Sequence, residues 1–204
     1  MASYDSDPDV QLMVRFQRGD EAAFDALVRK YQKPVFAITT RYVSDPGAAE
    51  DLAQEAFLRV YRARATYRPL AKFSTWLYRI AANLCLNELR DREKFRPLPM
   101  STVSGGEEET GGQGDKGTGG TLEVGVADPP SISLERAELR RAVTAAIDAL
   151  PPNQRMAVIL LRWQGCTYQE IADALDTTVK AVKSLLSRAK ENLAEKLGPY
   201  VADG

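Results

Sequence analysis

The sequence predicts an all-α protein: two small helical domains joined by a long flexible linker, with the C-terminal domain built around a helix-turn-helix. Three observations carry that expectation. Apolar residues recur at helical spacing on both sides of residues 97–133, and no run of useful length alternates with the period of a strand. The punctuation is that of helix ends, with Asp, Ser or Thr ahead of a periodic run and Gly or Pro behind it. Residues 97–133 hold nine of the fourteen glycines, four of the eleven prolines and the run Glu107, Glu108, Glu109. A segment so poor in large apolar residues cannot bury a core and is expected to be disordered. Its end-to-end distance as a flexible coil would be on the order of 30–35 Å, so the two domains can act tens of ångströms apart, and whether they pack on each other is left open. The boundaries that follow are a disordered start at 1–9, a first domain at 10–96, the linker at 97–133, a second domain at 134–198 and a tail at 199–204.

Asp9 can cap a first helix carrying Leu12, Met13 and Phe16 inward, and Gly19 ends it. Asp20 caps a second with Phe24, Leu27, Val28, Tyr31 and Val35, which Pro34 is expected to kink or interrupt. The third has Asp45 at its cap, Pro46 at the first helical position, and Glu50 and Asp51 where the helix dipole favours acid. Its stripe is Leu52, Ala53, Ala56, Phe57 and Val60. A fourth, from about Ser74 to Arg92, buries Leu77, Ile80, Ala81, Leu84 and Cys85. After the linker, Ser133 can cap a helix with the stripe Leu139, Val143, Ile147 and Leu150, stopped by Pro151 and Pro152. The next buries Met156, Ile159, Leu160 and Trp163 and closes at Gly165. Thr167 and Glu170 then fit a capping box, opening a short helix that ends near Leu175. Only Asp176, Thr177 and Thr178 separate it from a last helix with Val182, Leu186, Ala189 and Leu193 at core spacing.

Composition excludes more than it identifies. The chain has 204 residues and no histidine, which removes His-based acid/base chemistry and His-containing zinc sites. Cys85 and Cys166 stand alone inside apolar helical patterns, so neither a disulfide framework nor a paired-thiol site is expected, and a reducing cytoplasm fits. No stretch approaches the roughly 18 apolar residues of a spanning helix, and no leader segment is expected from the acidic start. The net charge of -1 hides a segregation: residues 10–96 carry 16 basic and 10 acidic side chains, and residues 97–133 carry 1 and 6. Residues 179–190 contain Lys180, Lys183, Arg188 and Lys190 with no acid.

That basic second helix after a capped short helix and a three-residue turn is the geometry that presents a helix to the major groove. Lys180, Lys183 and Arg188 suit phosphates, and Ser184 and Ser187 suit base edges. A structural hairpin is the alternative, and the charge argues against it. Gly112, Gly114 and Gly117 match a dinucleotide fingerprint in letters only, because no strand precedes them and no helix follows. No cofactor and no metal are expected. Tyr61, Tyr67, Phe73, Trp76 and Tyr78 surround Arg62, Arg64, Arg68, Lys72 and Arg79, a mixture suited to single-stranded nucleic acid. By themselves Glu50, Asp51 and Glu55 read as solvated acids or a docking surface.

Three motifs in order, Glu50-Asp51-Leu52-Ala53-Gln54-Glu55, then Phe73-Ser74-Thr75-Trp76-Leu77, then Leu150-Pro151 with the helix-turn-helix, resemble a bacterial RNA polymerase sigma factor of the extracytoplasmic-function (ECF) type. The resemblance covers 10–96 as sigma domain two and 134–198 as sigma domain four. It implies that Asp51, Gln54 and Glu55, with Tyr61 at the margin, dock on the clamp helices of the largest subunit of core polymerase. It implies that Tyr67, Arg68, Lys72, Phe73, Asn83, Asn87 and Arg90 bind the minus-10 element as the duplex opens. Lys180, Lys183, Ser184, Ser187, Arg188 and Lys190 would bind the minus-35 element, with Leu185 departing from the basic residue common there. It further implies an anti-sigma partner, a cytoplasmic setting and no enzymatic activity of its own. The linker is longer and richer in glycine than the family pattern, and its net acidity would suit a passage built for an anionic transcript or a plain tether. A conventional helix-turn-helix regulator without polymerase docking is the alternative, and the 51–55 motif argues against it.

Overall fold

The computed structural model describes residue 4, residues 6–94 and residues 130–201. Most of the expected linker, the Gly112–Gly117 motif and the chain ends lie outside those residues. All regular structure among them is helical: α1 Pro8–Gln17, α2 Glu21–Tyr42, α3 Pro46–Arg62, a 3₁₀ turn Arg64–Thr66, α4 Phe73–Lys94, α5 Pro130–Asp148, α6 Pro152–Gln164, α7 Tyr168–Ala174 and α8 Val179–Val201.

Local chemistry sets most of the helix starts. The Asp20 carboxylate accepts from the Ala23 N–H, and Asp45 accepts from the Gly47 N–H ahead of Pro46. In α7 the full capping box forms, Thr167 Oγ1 accepting from the Glu170 N–H at 3.2 Å while Glu170 Oε2 accepts from the Thr167 N–H at 2.8 Å. Gly19 and Gly165 take positive φ at the helix exits.

Several expectations are corrected. The cap of α1 is Asp7, whose Oδ1 accepts from the Asp9 and Val10 N–H groups with Pro8 at the first position. Asp9 lies inside the helix and is buried, accepting from Lys30 Nζ at 2.6 Å and Tyr31 Oη at 2.6 Å. Helical structure therefore begins within 1–9, and α8 likewise runs on into 199–204. Pro34 does not interrupt α2. The first turn of α3 contains no acid, so Glu50 and Asp51 sit one turn further in. Helix α5 starts at Pro130, ahead of Ser133. In α6, Trp163 is exposed and Arg155 is buried at 6% accessibility.

The sequence left open whether the two helical groups pack on each other, and in the structure they do. Helix α4 lies against α7 and α6, and α2 lies against α6. One continuous core joins Phe16, Leu27, Leu77 and Ala81 of the first four helices to Met156, Ile159, Leu160 and Ile171. A polymer estimate for a coil gives the reach of the tether, and apolar contact between the ends decides whether that reach is used. At one end of the interface, the Arg155 guanidinium donates to the Arg41 carbonyl at 3.1 and 3.3 Å, pairs with Asp148, and lies 5.3 Å from the Tyr42 ring centroid. Reciprocally, Arg41 lies 5.0 Å over the ring of Trp163. The Arg41 carbonyl belongs to the last turn of α2, whose acceptors have no partner within the helix. Arg155 thus caps α2 from the other helical group.

Candidate functional site

The apolar stripe of α3, Leu52, Ala53, Ala56 and Val60, turns Asp51 and Gln54 to solvent. Glu55 is more committed: it accepts from Arg59 Nε at 3.0 Å and Arg62 Nη1 at 3.4 Å, and these guanidinium bonds hold its carboxyl below the usual range. Gln54 Nε2 donates to Glu50 at 3.4 Å. Tyr61 packs its ring against Phe16 and Phe24, donates its hydroxyl to Glu21, and carries the Arg64 guanidinium on its face. Sequence reasoning missed the apolar part of this face. Leu58 and Phe36 are exposed, and a cleft of about 590 Å³ between α2 and α3 is lined by Val28, Gln32, Phe36, Ala53, Gln54 and Phe57. The available signal was the phase of the apolar residues: Leu58 and Phe36 fall off the core stripes of their helices, and large apolar side chains left outside a core mark contact surfaces when they cluster.

The loop into α4 divides its residues between core and surface. Phe73 is fully buried, its ring centroid 5.3 Å from Tyr31 and 5.9 Å from Trp76. Tyr67 is buried 4.8 Å from Trp76, and its hydroxyl has no hydrogen-bond partner among the described residues. Burial pushes that phenol up to about 12. Arg68 and Lys72 are exposed, and Asn83, Asn87 and Arg90 lie along one exposed side of α4 at helical spacing, with Arg90 Nη2 donating to Asn87 Oδ1 at 2.8 Å. A cleft of about 370 Å³ runs beneath the loop, lined by Tyr67, Arg68, Leu70, Thr75, Trp76 and Arg79 together with Asp173 of α7. Lys72 Nζ meets Glu170 Oε1 at 2.8 Å, and Arg79 Nη2 meets Asp176 Oδ1 at 2.9 Å. The bond to Glu170 holds the Lys72 ammonium above its ordinary range. Burial pushes the Glu170 carboxyl up, but the Lys72 and Thr167 donors outweigh it and hold the group below its usual value. The pair is therefore ionised throughout the neutral range, its contribution lost only as pH falls through the Glu170 range or rises through that of Lys72.

On α8, Val182 and Ala189 are buried and Lys180, Lys183, Ser184, Ser187, Arg188 and Lys190 are all exposed, Lys183, Ser187 and Lys190 flanking a cleft lined also by Ile147 of α5 and Trp163 of α6. Ser187 Oγ donates to Glu191 at 3.2 Å. Helix α8 packs on α5, α6 and α7 while these basic residues stay exposed. Cys85 and Cys166 are buried thiols, each pushed up to about 12 by burial. Among the described residues no cluster of Cys, Asp or Glu is placed to hold a metal ion, and no helix is long and apolar enough to cross a membrane.

Two basic surfaces, on α4 and α8, and a face of α3 that is part polar and part apolar are thus exposed on one helical fold. Sigma-70 region 2 matches residues 27–95, and sigma-70 region 4 matches residues 140–193. The chain belongs to the sigma-70 family, as a sigma factor of the ECF type. It is 38% identical over 193 residues to the ECF RNA polymerase sigma-E factor of Escherichia coli strain K12, covering 95% of this chain and 96% of that protein. It is 36% identical over 195 residues to the RNA polymerase sigma-H factor of Pseudomonas aeruginosa, covering 96% of each. The fold is similar to that of CnrH in complex with the cytosolic domain of CnrY, with a TM-score of 0.64, 21% identity, and coverage of 94% of this chain and 97% of that one. It is also similar to the sigma factor RpoE in complex with the anti-sigma factor NepR from Bartonella quintana, with a TM-score of 0.59, 20% identity, and coverage of 86% and 96%.

Proposed function

We propose that this chain binds core RNA polymerase in the bacterial cytoplasm and directs it to a subset of promoters, leaving the chemistry of RNA synthesis to the polymerase. The observation that carries the proposal is the match to both sigma regions in a chain aligned with its relatives over nearly their whole length. The α3 face of Asp51, Gln54, Glu55 and Tyr61 docks on the clamp helices of the largest subunit, and the apolar cleft beside Gln54 extends that contact through Phe36 and Phe57. Arg68 and Lys72 with Asn83, Asn87 and Arg90 hold the minus-10 element, while Tyr67 and Phe73 act by fixing the loop. The exposed side of α8, Lys180 to Arg188 with Lys190 at its margin, reads the minus-35 element. An anti-sigma protein is the expected regulator.

Gel filtration with core polymerase tests the docking face. Because Asp51 and Gln54 face solvent whereas Glu55 is satisfied by Arg59 and Arg62, D51A with Q54A is expected to weaken comigration by about tenfold or more, the scale of a truncated interface hot spot. Comigration equal to the parent's would remove α3 as the docking face. Tyr67 allows a separate check. Deleting a buried hydroxyl that has no partner costs the fold nothing and relieves desolvation worth about 1 kcal/mol. Y67F is therefore expected to match or exceed the parent in melting temperature and to leave promoter opening unchanged, measured by permanganate reactivity of unpaired thymines, because the packed ring is kept. Slower opening would give the hydroxyl a direct part and overturn the packing role.

A further inference from the structure

Helix α7 carries Glu170 and Asp173, the turn after it carries Asp176, and these three acids meet α4 and its preceding loop. Glu170 bonds Lys72, Asp176 bonds Arg79, and Asp173 forms one wall of the cleft containing Arg68 and Trp76. Local structure does not demand their charge. Glutamine closes a capping box as well as glutamate does, so residue 170 need not be acidic for α7 to start. Asp176 sits at φ 52°, a left-handed position that asparagine adopts as readily. Asp173 accepts from Gln169 Nε2 at 2.9 Å, a bond an asparagine carbonyl also accepts. What the charges add is neutralisation of Lys72 and Arg79.

We propose that Glu170 and Asp173 of α7, with Asp176 just beyond it, stand in for a nucleic-acid backbone at the Arg68, Lys72 and Arg79 end of the minus-10 face, so that the free chain rests in a self-closed form which masks that end and leaves the exposed basic residues of α8 open to duplex DNA. This rests on the minus-10 reading of Arg68 and Lys72 given above, to which it adds Arg79. The pairs suit a releasable latch: the side chains of Lys72, Arg79 and Asp176 are 53%, 44% and 82% exposed. Such pairs are individually weak and are screened by salt, so competing phosphates can displace them. Closure taxes affinity by the fraction of molecules open.

The experiment uses the full chain with E170Q, D173N and D176N together, which removes the three charges while keeping the cap, the turn and the Gln169 bond. A control carries D25N, E138Q and E195Q, an equal charge change at exposed positions away from the interface. Two quantities are read at about 0.1 M salt. One is the affinity for a fluorescein-labelled, mixed-sequence single-stranded DNA. The other is the rate at which a disulfide reagent labels Cys166, which is buried within electrostatic reach of Lys72, Glu170 and Tyr78. The α7 variant is expected to bind single strands about five- to tenfold tighter than parent and control and to label several-fold faster. Faster labelling with parental affinity would overturn masking, and parental labelling would overturn the latch. Equal tightening in the control would reduce the effect to net charge and overturn the proposal as well. Adding K72A and R79A to the α7 variant separates the underlying reading. Loss of the gained affinity supports both, whereas retained affinity with fast labelling overturns the proposal through the minus-10 assignment while leaving α7 as a simple clasp.

Discussion

Phe73→Ala is expected to lower the free energy of unfolding by about 3–5 kcal/mol, the range for deleting a fully buried aromatic ring. The ring has no accessible surface and bridges Tyr31 of α2 to Trp76 of α4. Tyr31 also bonds Asp9 of α1, so the cavity would open where three helices meet and could collapse little. The measurement is urea unfolding followed by tryptophan fluorescence, since Trp76 reports on the site itself. A midpoint shift of about 1.5–2.5 M is expected for a chain with a slope near 2 kcal/mol/M. The same residue carries the sharper functional expectation that Phe73→Leu, which refills most of the volume, restores both stability and DNA binding. A leucine variant that is stable yet fails to bind single-stranded DNA would return Phe73 to direct contact with a base.

Arg155→Ala is expected to cost about 3 kcal/mol and to split the unfolding transition in two. The guanidinium makes charge-assisted bonds to the Arg41 carbonyl and to Asp148, interactions worth about 1.5–3 kcal/mol. Its removal also leaves the last turn of α2 without that acceptor's partner and uncovers the Tyr42 face. Arg155→Lys is expected to recover little, because an ammonium cannot bond the carbonyl, pair with Asp148 and stack on the ring in one plane. Since Arg155 lies between the helical groups, its loss weakens their coupling more than either group. The checks are a biphasic urea curve and faster labelling of Cys85, whose buried thiol feels the Arg155 charge. A single transition at the parental midpoint would assign the coupling to apolar contact alone.

The legible parts of this protein were those decided within a few residues of chain. Asp20, Asp45 with Pro46, and the Thr167 and Glu170 box name their helix starts because a cap is satisfied by backbone groups two or three residues away. The helix-turn-helix and the exposure of Lys180, Lys183, Ser184, Ser187 and Arg188 follow from the period of Val182 and Ala189 on the same helix. The family motifs were equally readable, since they are contiguous. At the start of α1 the expected cap, Asp9, is instead drawn inward by Lys30 and Tyr31 of α2, and Asp7 caps the helix ahead of Pro8.

Tertiary structure decided what each face meets. Helical period puts residues on a face, but it could not show that one side of α6 would accept an arginine, because the open carbonyl of Arg41 and the ring of Tyr42 belong to α2. The same interface leaves Trp163 outside. Phe73 and Lys72 are neighbours in an aromatic and basic loop, and only packing separated them into a core ring and a surface cation. The docking of α7 on α4 was the least legible feature of all. Its ion pairs join residues 98 positions apart from Lys72 to Glu170, and nothing in the local chain records which carboxylate a surface lysine will find. Sequence therefore named the helices, the caps of α2, α3 and α7, and the family. The closed arrangement of the two helical groups comes from apolar burial and charge pairing between segments whose separation along the chain carries no local signal.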